Sequence, residues 1–550
     1  MAVLELLTSG VAVLKLPLVG SSSDLELGMK STVFFAGWGG DHLGWSAVPG
    51  VEDGIAANHS PVCVAVHELN FPTVEHLPPG DVRDIDLARL PATELFWASP
   101  ACPAWTDAKG EKRYFDRSNQ YTMFDEELGV IEDPEASRSR ALVEQIPRYL
   151  KAMAARGEPV LAGVMENVVQ CRRWDQWDRW IGEIHALGYE TRVIALNSAH
   201  VLPRTCLPVP QSRDRLYVAY WLKSLGRQPD WDKWLRPKAW CGSCEQVVDA
   251  VQSWKKPGVE MGRYGVRHGQ YVYRCPSKAC RFAIVEPITT PASVAIDWTL
   301  PPGARIGERD EPLADNTIER IRIGLEKFAG AAMLTPAGGT WRTAATSVGE
   351  PMPTRTTRET DALVVPPMVV QTSGRAAPTA VTPVTRELPT QTCRRELSVV
   401  IPPFIAELRG GGSKKSARAL TEPLATFAAS GFHHGLVQPP ADPDAHLLVP
   451  YYRTGRAHPT DRPLGTLTTG DRYALVGADA SRLIDQCTFR MLEPTEIRAG
   501  MAFPATFKAL GDKRTQARGY GNAVTPAAAE VIGCALVEAI TGTDIERTAA

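Results

Sequence analysis

Between residues 31 and 221 short apolar runs alternate with segments of helical periodicity. Strands are predicted at Ser31–Ala36, Glu94–Ala98, Pro159–Met165, Thr191–Leu196 and Leu216–Trp221. Leu142, Ile146, Leu150 and Met153 share one helix face, with Gly157 as the stop. Trp174, Trp177, Ile181 and Ile184 share another, with Gly188 as the stop. Such alternation builds a doubly wound α/β sheet. The rhythm ends after residue 226. A cysteine-paired basic segment (241–281), a Pro-rich link (286–302) and one helical stretch (Thr317–Phe328) follow, and an Ala-rich helix is predicted over Pro526–Ile540.

Residues 333–480 contain an internal repeat. EPMPTRTTRETDALVVPP (350–367), RELPTQTCRRELSVVIPP (386–403), EPLATFAASGFHHGLVQPP (422–440) and RPLGTLTTGDRYALV (462–476) read alike. Thr354, Thr390, Thr426 and Thr466 are equivalent, at spacings of 36, 36 and 40 residues. Each unit opens on an apolar run: AAMLTP, PPMVVQ, PPFIAEL and AHLLVPYY. Pro and β-branched residues dominate, which predicts strand pairs joined by loops.

Composition adds bounds. The 550 residues, 44% hydrophobic and 22% charged, are of ordinary globular type, enough for roughly two to four domains. No run of eighteen apolar residues predicts a membrane span, and the first thirty lack the basic-then-apolar order of a signal peptide. The eleven cysteines are scattered apart from two tight pairs, which fits a reducing compartment. A net charge of −2 excludes wholesale coating of nucleic acid and leaves room for a local basic face.

Candidate chemistry sits at the predicted strand ends. Phe35-Ala36-Gly37-Trp38-Gly39-Gly40 closes the first strand, where glycines let backbone approach a cofactor. AANHSPVCV places Asn58 and His59 at the end of a second strand, and GDVRDID places Asp81 and Val82 near a third. Three polar switch points in that order point to a nucleoside-bearing cofactor. The fourth strand ends on Ser99-Pro100-Ala101-Cys102-Pro103. A cysteine just past a sheet edge is a candidate nucleophile, although a buried Cys also serves as a small hydrophobe. Glu166-Asn167-Val168 ends the next strand and brings an acid to the same pocket. Gln211-Ser212-Arg213-Asp214-Arg215 leads into the following one with two cations on one side.

These motifs, in this order, resemble the cytosine-C5 DNA methyltransferases over about 250 residues of catalytic domain. FAGWGG is similar to the family's cofactor motif, Ala-Cys-Pro to its Pro-Cys turn, Glu166-Asn167-Val168 to its ENV motif and QSRDR to its Gln-x-Arg-x-Arg. RPLGTLTT resembles the motif bordering the target-recognition region, and Gly521-Asn522-Ala523-Val524-Thr525-Pro526 the closing motif. The resemblance implies S-adenosylmethionine as methyl donor, with Phe35, Ala36, Gly37, Gly39, Gly40, Asn58, His59, Asp81, Val82, Pro100, Asn522 and Val524 around it. It implies Cys102 as the nucleophile on C6 of a flipped-out cytosine, Glu166 on N3 and the exocyclic amine, and Arg213 and Arg215 steadying base and Glu166. Four positions depart from the pattern. Val33 replaces an Asp, Asn58 an acidic ribose ligand and His59 a stacking aromatic, and Pro100 stands one residue early.

Cys241-x2-Cys244 and Cys275-x4-Cys280 lie about thirty residues apart and suit a tetrahedral structural zinc. From Ser253 to Arg281 seven Lys or Arg and one acid interleave with Trp254, Tyr264, Tyr271 and Tyr273. That mix predicts phosphate contacts with aromatic support, against the plainer reading of a solvated basic face.

The expected architecture is a Rossmann-like α/β methyltransferase sheet with an inserted zinc ribbon and a β-rich, repeat-built target-recognition domain. Its parts are an N-terminal extension (1–30), the first part of the catalytic domain (31–226), the ribbon (227–300), the recognition region (301–480) and the closing catalytic part (481–550). The expected partner is double-stranded DNA, bound by a monomer in the cytoplasm of a prokaryotic or phage-infected cell, with no membrane. An RNA cytosine-C5 methyltransferase and a non-catalytic DNA-binding relative are the alternatives. An amino-methyltransferase would need an aromatic at Cys102 and would leave Glu166 and QSRDR without a role.

Overall fold

The computed structural model describes residues 28–100, 141–313 and 488–547 apart from His268, Trp298, Pro302 and Gly303, together with Ile318 and the backbone of short strands between 333 and 477. Cys102 and its loop, the helix expected over Thr317–Phe328 and the four repeat threonines lie outside the described residues.

The central sheet has seven strands: β1 (Met29–Phe34), β2 (Val51–Ala57), β3 (Glu75–His76), β4 (Leu95–Ala98), β5 (Ala162–Asn167), β6 (Tyr189–Asn197) and β8 (Asp214–Leu222). A short β7 (Gln211–Ser212) precedes the last. Their spatial order is β3-β2-β1-β4-β5-β8-β6. The first five run parallel, and β8 is antiparallel to both β5 and β6. All five strands expected from the sequence are present.

Covered on both faces, these strands read as apolar runs rather than as alternation. In β4, Leu95 and Trp97 face one core while Phe96 and Ala98 face the other. Helices α3 (Gln145–Ala155) and α4 (Trp177–Ala186) fill the Phe96 side through Ile146, Leu150, Met153, Trp177, Trp180 and Ile184. The opposite side is filled by α1 (Gly40–Trp45) and by α8 (Pro526–Thr541), which comes from the far end of the chain. Residues 513–541 are apolar enough to cross a bilayer, but that surface is already buried in this core. The short α2 (Pro61–Asn70) starts on Ser60, whose hydroxyl accepts from Cys63 N.

The four cysteines sit in a β module of two small antiparallel sheets. One pairs β9 (Lys238–Cys241) with β10 (Gln246–Asp249), and the other joins β11 (Val251–Trp254), β12 (Tyr271–Arg274) and β13 (Ile284–Val285). A second seven-stranded sheet begins with β14 (Ala304–Arg305) and contains Thr488–Met491, His434–Gln438, Pro403–Glu407, Thr360–Val364, Met333–Ala337 and Thr346–Ser347. The apolar runs that open the repeats coincide with strands at Met333–Ala337, Met368–Gln371, Pro403–Glu407 and His446–Pro450.

Candidate active site

The parallel strands end at one edge of the sheet, and Glu166, Arg213, Arg215, the glycine turn and Asn58 lie at that edge. Antiparallel register places Glu166 on β5 directly opposite Tyr217 on β8, with Arg215 two residues along. Diagonal neighbours of this kind are within reach of long side chains. Arg215 Nε lies 3.1 Å from Glu166 Oε1, and both side chains are largely buried. Burial pushes the Glu166 carboxyl above its ordinary range, while the charges of Arg215 and then Arg213 pull it back. The result is a desolvated acid with a cation fixed beside it.

Arg213 continues the same face of the strand but reaches elsewhere. Its guanidinium donates to the carbonyl oxygens of Gly521 (3.1 Å) and Ala523 (3.0 Å). It therefore clamps the segment that resembles the closing motif onto the start of β8, and it acts on Glu166 through its charge. Asn197 Oδ1 accepts from Arg213 N at 3.2 Å and holds the backbone of this turn.

Asn167, next to Glu166, has a separate task. Its Nδ2 donates to the carbonyl of buried Pro100 at 3.1 Å, and its Oδ1 accepts from Val168 N at 2.8 Å. The strand carrying the acid thus pins the start of the loop that contains Cys102. Sequence reasoning treated Asn167 only as part of a motif.

In the glycine turn, Phe35, Gly37 and Gly39 have φ of 61°, 54° and 75°. A Cβ at Gly37 would meet only Phe35 O at 3.7 Å, so this position opens on free space where a cofactor fits. Gly39 and Gly40 are required for a different reason. A Cβ on Gly39 would stand 2.3 Å from the Phe71 ring, and one on Gly40 1.9 Å from Val524 O. Internal packing alone therefore demands glycine at these two positions.

At the end of β2, Asn58 is buried, and its Oδ1 accepts from Ser60 N at 2.9 Å, while His59 is exposed. Asp81 lies five residues beyond the end of β3; it caps a short turn and pairs with Arg83, whose Nη2 is 2.8 Å away. Val82 is buried, Asn522 is exposed, and Val524 is buried against α1. Open turn, buried amide, carboxylate and closing segment together suit a nucleoside-bearing donor.

One buried acid escaped the sequence reading. Asp41, first after the glycine turn, is 3% exposed, with Oδ1 accepting from His42 N at 2.9 Å. Burial raises its pKa to about 7, with the neighbouring Glu166 charge adding to the rise. Its signal was a carboxylate directly behind a Gly-Gly turn, at the start of a helix.

The sequence model for the C-5 cytosine-specific DNA methylase matches residues 29–239. Over these residues the chain is similar to that family. The matched range contains Glu166, Asn167, Arg213 and Arg215, and the segment with Val524 packs against α1 from outside it. Among curated proteins none matches this chain. Similar solved structures include DNMT2 of Spodoptera frugiperda, at 13% identity and a TM-score of 0.40, covering 93% of this chain and 100% of that one. A DNA modification methyltransferase encoded within an E. coli prophage has 11% identity and a TM-score of 0.37, covering 93% and 99%. Dnmt2 of S. pombe has 12% identity and a TM-score of 0.40, covering 94% and 98%.

Away from this edge, the sulfur atoms of Cys241, Cys244, Cys275 and Cys280 lie within 4.8 Å of one another, with Cys244 and Cys275 at 4.0 Å. A tetrahedral zinc with bonds of about 2.3 Å places its sulfurs about 3.8 Å apart, so the donor set fits. Both cysteine pairs are followed by non-glycine residues at positive φ, Glu245 after the first and Arg281 and Phe282 after the second. Each such residue costs roughly 1–2 kcal/mol, which metal bonding can offset. Tyr271 and Tyr273 are fully buried and form the core of this module with Cys241 and Cys275. The expected aromatic support for phosphate contacts is therefore not offered by these two rings.

Proposed function

We propose that the chain is a DNA (cytosine-5-)-methyltransferase that transfers a methyl group from S-adenosylmethionine to C5 of a cytosine flipped out of duplex DNA. The observation that carries this reading is the buried Glu166–Arg215 pair at the edge of a methylase-family sheet. Cytosine C5 is a poor nucleophile until something adds at C6. The Cys102 thiolate adds there while Glu166 hydrogen-bonds N3 and the exocyclic amine, and Arg215 holds the carboxyl in place. When bound, S-adenosylmethionine supplies the methyl group. In this reading Phe35, Ala36, Gly37, Asn58 and Asp81 hold it. Loss of the C5 proton then lets the bond to Cys102 break.

In the same reading, Cys241, Cys244, Cys275 and Cys280 bind one structural zinc, and the repeat-bearing sheet reads the DNA sequence. Incubation with tritiated donor and separate duplex DNA and RNA tests the substrate. Label in DNA cytosine supports the proposal; label in RNA alone assigns the same chemistry to an RNA enzyme. Cys102→Ser should abolish transfer while cofactor binding persists, and 5-fluorocytosine DNA should trap the wild type covalently, since fluorine does not leave as a proton does. An active enzyme without that adduct would overturn attack at C6.

A further inference from the structure

The strand that carries Arg213 and Arg215 is gripped by the four-cysteine module. Between the two arginines, buried Asp214 accepts at Oδ1 from the backbone N–H of Tyr264, in the loop between β11 and β12, at 3.1 Å. On the neighbouring strand β6, Ala195 packs in the same core as Cys241 and Cys275, and its carbonyl accepts from Gln252 Nε2 at 2.9 Å. Register pairs Asn197 of β6 with Asp214 of β8, so these two contacts brace adjacent strands at one end.

His200, just past β6, is 3% exposed and is wedged against Tyr264 and Tyr273, with ring centroids 4.5 and 5.4 Å away. Burial lowers its pKa to about 3, so it stands as a neutral plug in the joint. Farther out, Arg172 and Glu260 form an ion pair at 2.7 Å. The buried tyrosines and the histidine plug look inward to this joint, and a module that only held phosphates would have no need of them.

We propose that the four-cysteine module is a positioning element for methyl transfer: by holding Asp214 it fixes the strand on which Arg215 meets Glu166. Asp214 touches no substrate; it is a positioning residue. Arg215 follows it directly, and Arg215 Nη1 donates to the Asp214 carbonyl at 2.9 Å. A shift of Asp214 therefore carries the guanidinium away from the acid. The proposal rests on the reading of Glu166 and Arg215 as the base-activating pair.

The test compares Asp214→Ala with Asp214→Asn, whose Oδ1 still accepts from Tyr264 N. Asp214→Ala should lower kcat by at least about tenfold with KM for DNA within about twofold, and Asp214→Asn should restore most of it. Arg215 and Arg213 act on Glu166, and its own charge in turn raises Asp41 of α1 and the Tyr217 phenol. With Arg215 displaced, the limb of the kcat profile that reports Glu166 should move to higher pH. Unchanged kcat and profile in folded Asp214→Ala would overturn the proposal, as would a loss confined to KM.

Where Asp214→Ala fails to fold, the pair Gln252→Ala and Glu260→Ala loosens the module and leaves the strand's sequence intact. Amide hydrogen exchange at residues 212–216 should then quicken severalfold in the absence of any substrate. Unchanged exchange would sink the proposal by itself. A wild type that methylates no DNA cytosine, with exchange still quickened, would overturn the substrate reading and leave the brace standing.

Discussion

Gly40 and Val524 stand so close that a Cβ on Gly40 would lie 1.9 Å from the Val524 carbonyl oxygen. The contact joins the first turn of the sheet to the far end of the chain. A Cβ on Gly44, one helical turn on, would come 2.3 Å from Pro526 O, so α1 and α8 meet backbone to backbone. The small residues Ala527, Ala528 and Ala529, all fully buried, permit that approach. The core of the central sheet is thus closed by residues from the far end of the sequence.

Gly40→Ala should therefore destabilise the fold by about 1–3 kcal/mol or more, because the obstacle is backbone and has no flexible end to move aside. Gly37→Ala is the control. Its φ of 54° makes the change strained, but nothing lies within contact range except Phe35 O at 3.7 Å. Thermal melting should show the larger loss for Gly40→Ala, and cofactor titration the larger loss for Gly37→Ala. Equal effects on both readouts would mean the two glycines share one role.

Arg213 closes the same seam from the other side. Arg213→Ala leaves the carbonyls of Gly521 and Ala523 without their donor in a buried setting, a loss of about 1–3 kcal/mol for each buried acceptor left unsatisfied. The expected outcome is early proteolytic cleavage between residues 511 and 525 and weaker cofactor binding, with DNA affinity little changed. Cleavage at the wild-type rate would show that α8 is held by its apolar contacts alone.

Much of this architecture was legible in the sequence, for a physical reason. Strands buried on both faces must be apolar throughout, so β4 and β5 announce themselves, and the helices over them repeat at 3.6 residues. Glu166, Arg215 and the four cysteines were legible because polar groups at strand ends and paired thiols have few structural uses. The partition of roles was hidden. Whether Arg213 meets Glu166 or the Ala523 carbonyl depends on a segment about 300 residues away, and no local pattern encodes that. Tyr271 and Tyr273 read as exposed because they sit among cations, yet β12 is a central strand with its aromatic side turned inward.

Asp41 supplies a pH-dependent prediction. Burial raises its folded pKa to about 7 from 3.8, so the folded state holds a proton that the unfolded chain releases. Its contribution is most favourable below pH 3.8, declines as pH rises towards 7, and stays constant above. Asp41→Asn keeps an oxygen for His42 N and removes this penalty. The variant should melt higher than wild type at pH 8, with a margin that narrows steadily down to pH 4. A margin independent of pH would mean that the buried carboxyl is not the source.

The last prediction concerns Asn167, whose two amide atoms divide their work between the acid-bearing strand and the nucleophile loop. Oδ1 accepts from Val168 N and so belongs to the strand, while Nδ2 donates to Pro100 O, two residues before Cys102. Asn167→Asp preserves the first bond and replaces the second by a carboxylate facing a carbonyl, which is repulsive and costs about 1–3 kcal/mol when buried. The strand should survive and the loop should lose its anchor. Methyl transfer should then fall at least about tenfold, and trapping by 5-fluorocytosine DNA should slow in parallel, because delivery of Cys102 to C6 is the affected step. Cofactor affinity should fall less than turnover, since Gly37 and Asn58 follow other strands. If trapping keeps its wild-type rate while turnover falls, Asn167 acts after the cysteine has added, and the anchor at Pro100 is not what limits the reaction.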